Sequence, residues 1–330
     1  MSSPTAPAAP TVSTAAANEA ERPKGPPPKE ELEHMTWAEK VASLIGVVGP
    51  VIALIVAIII AWRWDGFSWL YATMLGVGYV LTALGVTVGY HRYFTHKSFE
   101  TNAVVKAFLA FLGSTAVEGP PTKWAAMHRC HHQHSDHDHD PHSPHHHGGG
   151  VWGIIKGFFH AHVGWIFRGD PQNLERYNPD LRADKVTNVM SKLWVVWAML
   201  GFLIPTAIGG LVTMSWTGAL LGFLWGGLVR LLVVHHVTWS INSVCHIWGS
   251  RPFKSNDESR NNWFFGWFGL GEGWHNNHHA FPSSARHGLR WWEFDLSYLV
   301  IRGMEAIGLV HSVKVPSRQI LERKRQPHRH

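Results

Sequence analysis

Four stretches of the chain are apolar and long enough to cross a membrane as helices, since about 20 apolar residues span roughly 30 Å of hydrocarbon. They are residues 41–62, 67–90, 193–211 and 217–241. Short connections at 63–66 and 212–216 join them in pairs, so the pattern predicts two helical hairpins. A weaker apolar segment, 103–117, contains Lys106, and we interpret it as an interfacial or partly inserted helix.

The basic residues predict the orientation of these spans. Of the 29 lysines and arginines, 27 lie in the N-terminal arm, in the long segment between the second and third spans, or after the fourth span. The two hairpin connections contain only Arg63. Because cytoplasmic loops are enriched in Lys and Arg, we expect both termini and the long central segment to be cytoplasmic.

This interpretation divides the chain into three parts. A membrane domain covers residues 36–312, with its cytoplasmic helical cap at 91–192 and 247–312. The Pro- and Ala-rich residues 1–35 lack the continuous apolar region of a signal peptide and are predicted to be a disordered tail. Residues 313–330 are predicted to be a basic C-terminal tail.

Composition excludes several classes of protein. The chain has 330 residues, of which 45% are hydrophobic and 16% charged, so disorder of the whole chain is excluded. Two cysteines cannot form the disulfide framework of a small secreted protein. The net charge of +6 requires no nucleic acid partner, because basic loops beside anionic lipid account for it.

The histidines, 25 in number, concentrate in three motifs at the predicted cytoplasmic ends of the spans. The motifs contain His91 and His96; His128, His131 and His132; and His275, His278 and His279. On a regular α-helix, positions i, i+3 and i+4 fall within an arc of about 100°, so an HxxHH motif presents three imidazoles on one face. Eight such histidines exceed the four ligands of a tetrahedral zinc, which indicates two metal ions.

The first motif has a different spacing. Positions i and i+5 lie about 140° apart on a regular α-helix. We therefore expect His91 and His96 to serve two different ions or to straddle the end of the helix. A further stripe at the end of the fourth span holds Asn242 and His246, which can add one water-holding amide and one nitrogen ligand.

The other polar groups of interest have ordinary structural interpretations. Histidines 134, 137, 139, 145, 146 and 147 lie in a Gly- and Asp-rich loop and are expected to be solvated. His142 and His162 fall between these solvated histidines and the metal-binding histidines of the motifs. Cys130 is expected to serve packing. Arg230 lies within a span, so we expect it to pair with a carboxylate of the cap, and His235 and His236 to have structural or supporting roles.

Several longer motifs carry a resemblance to a known family. They are GYHRYFTHKSFE (89–100), WAAMHRCHHQHSD (124–136), DPH (140–142), HVGW (162–165), TWSINSVCHIWG (238–249) and GEGWHNNHHAFP (271–282). In these residues the chain resembles the membrane-bound fatty acid desaturases, specifically the acyl-CoA Δ9 (stearoyl-CoA) branch, in a bacterial form without a fused cytochrome b5 domain. Its insert SPHHHGGGVWGIIK departs from the family pattern.

The resemblance implies an all-α integral membrane protein of four transmembrane helices, whose cytoplasmic cap carries a site for two non-haem irons. The ligands it implies are His91, His96, His128, His131, His132, His246, His275, His278 and His279, with Asn242 holding a water. It also places Trp124 and Thr238 at a bend in the tunnel for the acyl chain.

The implied reaction is the O₂-dependent introduction of a cis double bond, at Δ9, into a saturated acyl chain. Metal with O₂ supplies the strong oxidant that an unactivated methylene requires. The expected partners are O₂, membrane lipid, an acyl-CoA or other acyl thioester or lipid, and a ferredoxin or cytochrome b5-type electron donor with its reductase. A related di-iron hydroxylase is the alternative, and a metal-ion transporter is a distant one.

Overall fold

The computed structural model describes residues 32–64 and 68–326, and this part of the chain is mostly helical. Its strands are β1 (Glu100–Thr101) and β2 (Val310–His311), a short antiparallel pair. The predicted all-α fold is confirmed. Most of the predicted disordered tail, residues 1–31 of 1–35, lies outside the described residues. The last four residues of the predicted basic tail, 327–330, also lie outside them.

Four helical segments are long and apolar enough to cross a membrane, as the sequence predicts. The first is α1 (Trp37–Trp64), and the second is α2 (Trp69–Leu84) continued by the π-helix π1 (Gly85–Thr95). The third is α8 (Trp194–Thr213), and the fourth joins α9 (Trp216–Gly222), the π-helix π2 (Phe223–Val229) and α10 (Arg230–Ile247). The second and fourth segments continue past their predicted ends at residues 90 and 241 to Thr95 and Ile247, and the added residues include His91 and His246.

Shorter helices occupy the region between the second and third spans and the region after the fourth. Before the third span these are α3 (Ala103–Ser114), α4 (Pro121–His134), α5 (Gly150–His162), α6 (Pro179–Ala183) and α7 (Lys185–Lys192), with 3₁₀ turns at Gly164–Phe167 and Leu174–Tyr177. After the fourth span they are α11 (Trp263–Phe268), α12 (His275–Ala280), α13 (Leu296–Ala306) and α14 (Arg318–Lys324).

Tryptophans mark the ends of the spans. Trp62, Trp69 and Trp216 are each more than 80% exposed, and many apolar side chains along the spans are exposed as well. Tryptophan prefers the membrane–water interface, where its ring is apolar and its N–H stays hydrated. The exposed apolar surface of the spans therefore matches a lipid environment.

The hairpin between α8 and α9 depends on a tight turn and close backbone packing. Met214 adopts a left-handed conformation (φ 48°), and Ser215 caps α9 by accepting from the N–H of Gly218 at 3.0 Å. A β-carbon on Gly209 would lie 2.2 Å from the carbonyl oxygen of Gly218. The absence of side chains here lets two spans touch, as is common for helices in lipid.

The weaker apolar segment forms α3, which is shorter than a span. Asn102 caps it by accepting from the N–H groups of Val104 and Val105, each at 3.0 Å. The helix packs against π1 so closely that a β-carbon on Gly85 would lie 2.2 Å from the backbone nitrogen of Gly113. This contact fixes the position of π1, and with it the first histidine motif.

The core beneath the histidines is aromatic and aliphatic. Tyr90, Phe94, Phe99, Leu181 and Ile301 are almost completely buried in one cluster. Two of these side chains come from π1 and the others from distant parts of the chain, including α6 and α13. This packing holds the end of the second span against the shorter helices.

Among the described residues, Arg230 has no carboxylate partner of the kind the sequence suggested. Its guanidinium is 2% exposed and donates to Thr82 Oγ1 (2.9 Å), to the carbonyl of Thr115 (2.9 Å) and to that of Gly226 (2.9 Å). The expected carboxylate partner was therefore wrong. Backbone carbonyls and a hydroxyl within the helix bundle satisfy the charge locally, so no acidic group has to enter the membrane region.

Candidate metal centre

Nine predicted ligands converge in two neighbouring groups of imidazoles. Within each group, one ligand atom per residue lies within 4.8 Å of the others. The first group consists of His91, His96, His128, His132 and His278. The second group consists of His131, His246, His275 and His279. Each group could hold one metal ion.

A π-helix explains how His91 and His96 enter the same group. In π1 the backbone N–H of His96 bonds to the carbonyl of His91 at 3.1 Å, the i to i+5 pattern, so the two residues are about one turn apart. The expectation of two different ions assumed a regular α-helix and is wrong for this segment. The other expectation holds, because His96 lies at the end of the helix.

The two HxxHH motifs are each divided between the groups. On α4, His128 and His132 join the first group and His131 the second. On α12 the pattern is reversed, with His278 in the first group. Each short helix therefore contacts both metal positions, which fixes the distance between them.

The ligand nitrogens within each group lie close enough together to share one metal ion. The Nε2 atoms of His91 and His278 lie 3.0 Å apart, those of His128 and His132 3.0 Å, and those of His132 and His278 2.9 Å. An ion about 2.1 Å from two nitrogens at right angles places them about 3.0 Å apart, whereas tetrahedral angles give about 3.4 Å. In the second group, His246 and His275 are 3.1 Å apart.

Several buried ring nitrogens have no hydrogen-bond partner among the described residues. They include Nε2 of His96, His131 and His279. Burial, reinforced by the neighbouring imidazoles, lowers the pKa of His96, His128, His132, His275 and His278 well below the usual range. Neutral imidazoles with free lone pairs are the state that a metal ion requires.

Four carboxylates hold the opposite sides of ligand rings. Asp140 meets Nδ1 of His131 at 2.9 Å, and Asp136 meets Nδ1 of His246 at 2.7 Å. The other two pairs are Asp257 with His279 and Glu272 with His91, both at 2.6 Å. A carboxylate on Nδ1–H directs the lone pair of Nε2 toward the metal and increases its basicity.

These carboxylates were missed by the sequence interpretation. Burial alone would raise the pKa of Asp140, but its interaction with His131 outweighs this and holds the pKa low. The balance is the same for Asp257, where His279 lowers the pKa. For Asp136, Asp140 and Glu272 the usable signal was an acidic residue beside a histidine motif, as in HSD, DPH and GEGWH, whereas Asp257 lies beside no such motif.

A buried ion pair supports the first motif. Arg92, which is fully buried, donates to Glu272 and, at 3.1 Å, to Asp295. Its Nε also donates to the carbonyl of Ala285 at 2.9 Å. Glu272 therefore joins His91 to a network that reaches the start of α13.

The two residues expected along the acyl tunnel both lie near Glu118, a buried carboxyl that the sequence interpretation missed. Trp124 donates its indole N–H to Glu118 at 2.8 Å and stacks on His128, with ring centroids 5.0 Å apart. Thr238 lies near enough to Glu118 to lower its pKa, while its hydroxyl donates to the carbonyl of Val234 at 2.8 Å. Burial raises the pKa of Glu118 to about 7.

The remaining expectations have mixed outcomes. Asn242 is half-buried on α10, one turn before His246, and its expected role stays a prediction. Cys130 packs with Ala126, Met127 and Leu174, as expected. His235 bonds to the carbonyl of Ala116 at 2.7 Å, in agreement with a structural role.

The loop histidines are less uniform than expected. His137 and His146 are exposed, but His134 is buried, so the expectation of a wholly solvated loop was wrong. His142 is also buried and packs on His131, with ring centroids 4.4 Å apart. His287, which the sequence interpretation did not single out, is buried against His278, with centroids 4.5 Å apart.

The family profile described as "Fatty acid desaturase" matches residues 67–306. The chain belongs to the fatty acid desaturase family. The match spans three of the four membrane segments and all nine histidines that are predicted to bind metal. It establishes an oxidoreductase that acts on fatty acyl chains, in agreement with the resemblance seen in the motifs.

Similar proteins in this desaturase family are named for different activities. The chain is 43% identical to "Hex-5-enoyl-[acyl-carrier protein] acetylenase" of Moorena producens (strain JHB), over 84% of this chain and 86% of that protein. It is 37% identical to "Delta-9 acyl-lipid desaturase 1" of Arabidopsis thaliana (76% and 77% covered). It is 35% identical to "sn-1 stearoyl-lipid 9-desaturase" of Anabaena variabilis (77% and 88% covered).

Proposed function

We propose that this protein is an O₂-dependent fatty acyl desaturase that introduces a cis double bond at Δ9 with two non-haem irons. The observation that carries the proposal is the pair of adjacent imidazole groups, with five and four members, buried at the ends of two apolar spans. Imidazole nitrogens suit transition metals. Two adjacent metals match the oxidation of an unactivated chain better than a single structural ion does.

The proposed ligands of one iron are the five imidazoles of the first group. The second iron is proposed to take the four imidazoles of the second group and a water held by Asn242. Nitrogen spacings of 2.9–3.1 Å are short enough for the imidazoles of each group to share one ion, and nine imidazoles exceed the four ligands of one tetrahedral zinc. When bound, the irons supply the oxidising chemistry with O₂, while the chain's own residues place the substrate.

We infer that Trp124, Thr238 and Glu118 position the acyl chain. Trp124 lies between the first group and Glu118, because its ring stacks on His128 while its N–H bonds the carboxylate. A rigid wall beside the metals selects which methylene comes within reach, since reaction requires a defined near-attack distance. These contacts support a role for Trp124 and Glu118 in regioselectivity, and Thr238 is included because it lies near Glu118.

Acyl-CoA is the proposed form of the substrate. The motifs resemble the acyl-CoA branch, and a relative 37% identical to this chain is named "Icosanoyl-CoA 5-desaturase". Other relatives are named for acyl lipids or an acyl-carrier protein. Incubation of the purified enzyme with stearoyl-CoA, stearoyl-acyl-carrier protein or stearoyl lipid distinguishes these carriers.

We propose that the site and both termini face the cytoplasm of a bacterial-type cell membrane. The distribution of Lys and Arg supports this orientation. An acidic ferredoxin or cytochrome b5-type donor, reduced by its own reductase, would dock on this basic side. The rate of reduction by such a donor is expected to fall as ionic strength rises, and insensitivity to salt contradicts electrostatic docking.

A second candidate reaction is the further desaturation of an existing double bond to a triple bond. The 43% identical relative named as an acetylenase favours it. The same metal centre serves both reactions, because each removes two hydrogens from adjacent carbons. The degree of saturation of the bound chain then decides the product.

The test is a fatty-acid profile, with double-bond location, of cells that express the wild type or His278→Ala. His146→Ala, in an exposed part of the loop, is the matched control. The proposal predicts a new cis-monoene that disappears with His278→Ala and persists with His146→Ala. A hydroxy acid indicates the hydroxylase and an alkyne the acetylenase, while purified protein without bound iron contradicts the di-iron centre.

A further inference from the structure

Carboxylates are distributed unequally between the two imidazole groups. Three of the four rings in the second group have a carboxylate on Nδ1. Among the described residues, the first group has one such ring of five, His91, with Glu272. The two metal positions therefore differ in the charge that surrounds them.

The three aspartates of the second group are held by neutral donors. Asp136 also accepts from the backbone N–H of Glu258 at 2.8 Å, and Asp140 from that of Asp136 at 2.8 Å. Asp257 also accepts from the hydroxyl of Ser259. These bonds orient the carboxylates without cancelling their negative charge.

The single carboxylate of the first group has a different environment. Glu272 uses one oxygen for His91 and the other for Arg92, whose guanidinium is fully buried. A second carboxylate, Asp295, also contacts that guanidinium at 3.1 Å. Glu272 thus has a fixed cationic partner before any metal binds, which it shares with Asp295.

We propose that the second group holds its metal ion more tightly than the first, so that the two irons are unequal and the iron of the first group exchanges first. This rests on the proposed di-iron function. The physical basis is that carboxylates behind ligand imidazoles increase ligand basicity and attract the dication, and loss of one such partner costs about 10- to 100-fold in metal affinity.

Ligand number acts in the opposite direction. The first group offers one imidazole more than the second, and an additional neutral ligand strengthens binding. The second group has three carboxylates without a cationic partner in the described contacts, whereas the single carboxylate of the first group is paired with Arg92. We expect this difference in charge to affect metal affinity more than one additional neutral imidazole does. The order of iron release measures which effect is larger.

The experiment follows iron release from the purified full-length enzyme after addition of a chromogenic ferrous chelator under anaerobic conditions. Two phases of one iron each are expected, and they differ in rate. His96→Ala, which removes a ligand of the first group alone, identifies the phases. Its iron content is expected to fall to about one per chain, with the slow phase retained.

Isosteric variants then test the carboxylates. Asp257→Asn keeps the size of the side chain and removes its charge, and it is expected to accelerate the slow phase about 10- to 100-fold while the fast phase is unchanged. Glu272→Gln is expected to accelerate the fast phase and to leave the slow phase unchanged. Asp138→Asn, on an exposed residue of the histidine loop, is the matched control and is expected to change neither.

The outcomes separate this inference from the proposed function. Release of two irons at one rate, or a slow phase untouched by Asp257→Asn, overturns the inequality and leaves the di-iron enzyme intact. A wild-type protein that binds no iron overturns both. If Asp257→Asn does not fold, Asp140→Asn makes the same test on His131, and Mössbauer spectra of ⁵⁷Fe-loaded wild type must show two distinct iron environments.

Discussion

Glu118 accepts a hydrogen bond from the indole N–H of Trp124 at 2.8 Å, and the same indole stacks on His128 of the first imidazole group. A buried carboxyl is thereby connected to the metal centre through one aromatic ring. Because burial raises the pKa of Glu118 to about 7, this carboxyl binds its proton more tightly in the folded protein than in the unfolded chain.

Glu118 is therefore expected to make stability depend on pH. Between the unfolded pKa near 4.5 and the folded pKa of about 7, the folded state holds a proton that the unfolded state has lost. The free energy of unfolding should fall as pH rises through this window, by at most about 3 kcal/mol, and level off above it. The melting temperatures of the wild type and of Glu118→Gln, measured from pH 5 to 8, test this prediction. If both melting temperatures change with pH in the same way, the prediction is wrong.

Trp124→Phe should alter the position of the double bond without loss of iron. The substitution keeps a ring beside His128 but removes the N–H that donates a hydrogen bond to Glu118. Loss of this hydrogen bond is expected to lower local stability by about 1–3 kcal/mol. A mixture of positional isomers and a lower turnover are expected from double-bond analysis of the products. Unchanged iron per chain is the control, and an unchanged isomer distribution argues against a positioning role.

Arg230→Met should destabilise the membrane region by about 1–3 kcal/mol. The change leaves Thr82 Oγ1 and the carbonyls of Thr115 and Gly226 without the guanidinium donor. The melting temperature in detergent is the measurement, with Arg230→Lys as the variant that retains charge. If Met raises the melting temperature, the desolvation cost of the guanidinium exceeds the value of its hydrogen bonds.

Gly85→Ala should prevent correct packing of π1 on α3. The added carbon would lie 2.2 Å from the backbone nitrogen of Gly113, and backbone cannot move aside as a flexible side chain can. Gly76→Ala is the matched control in the same span, because its β-carbon would have no atom within 4 Å. Folded yield and iron content are expected to fall only for Gly85→Ala, and equal yields contradict the prediction.

Hydrophobic periodicity and motif spacing predicted much of the fold and the candidate site. The four apolar runs correspond to four candidate spans, and the histidines singled out as ligands converge in two groups. The assignment of His91 and His96 failed in part because helix periodicity was assumed to be regular. The closely packed glycines that accompany the π-helix gave no signal of it in the sequence.

Long-range pairs were also beyond prediction. Asp136 and His246 are 110 residues apart, and Glu272 and His91 are 181 apart, yet each pair forms one hydrogen bond. Arg230 likewise found its partners in carbonyls of neighbouring helices rather than in an acidic side chain. Such contacts depend on how helices are rotated and offset against one another, which local periodicity does not specify.

By itself, the sequence determined that this is a helical membrane protein with histidine motifs of the desaturase family, because hydropathy and ligand spacing are local properties. Only the tertiary structure decided which imidazole belongs to which group. It alone also decided that three aspartates support one group, while Glu272, balanced by Arg92, supports the other. The physical reason is that metal-site geometry and charge arise from side chains that packing brings together from distant parts of the chain.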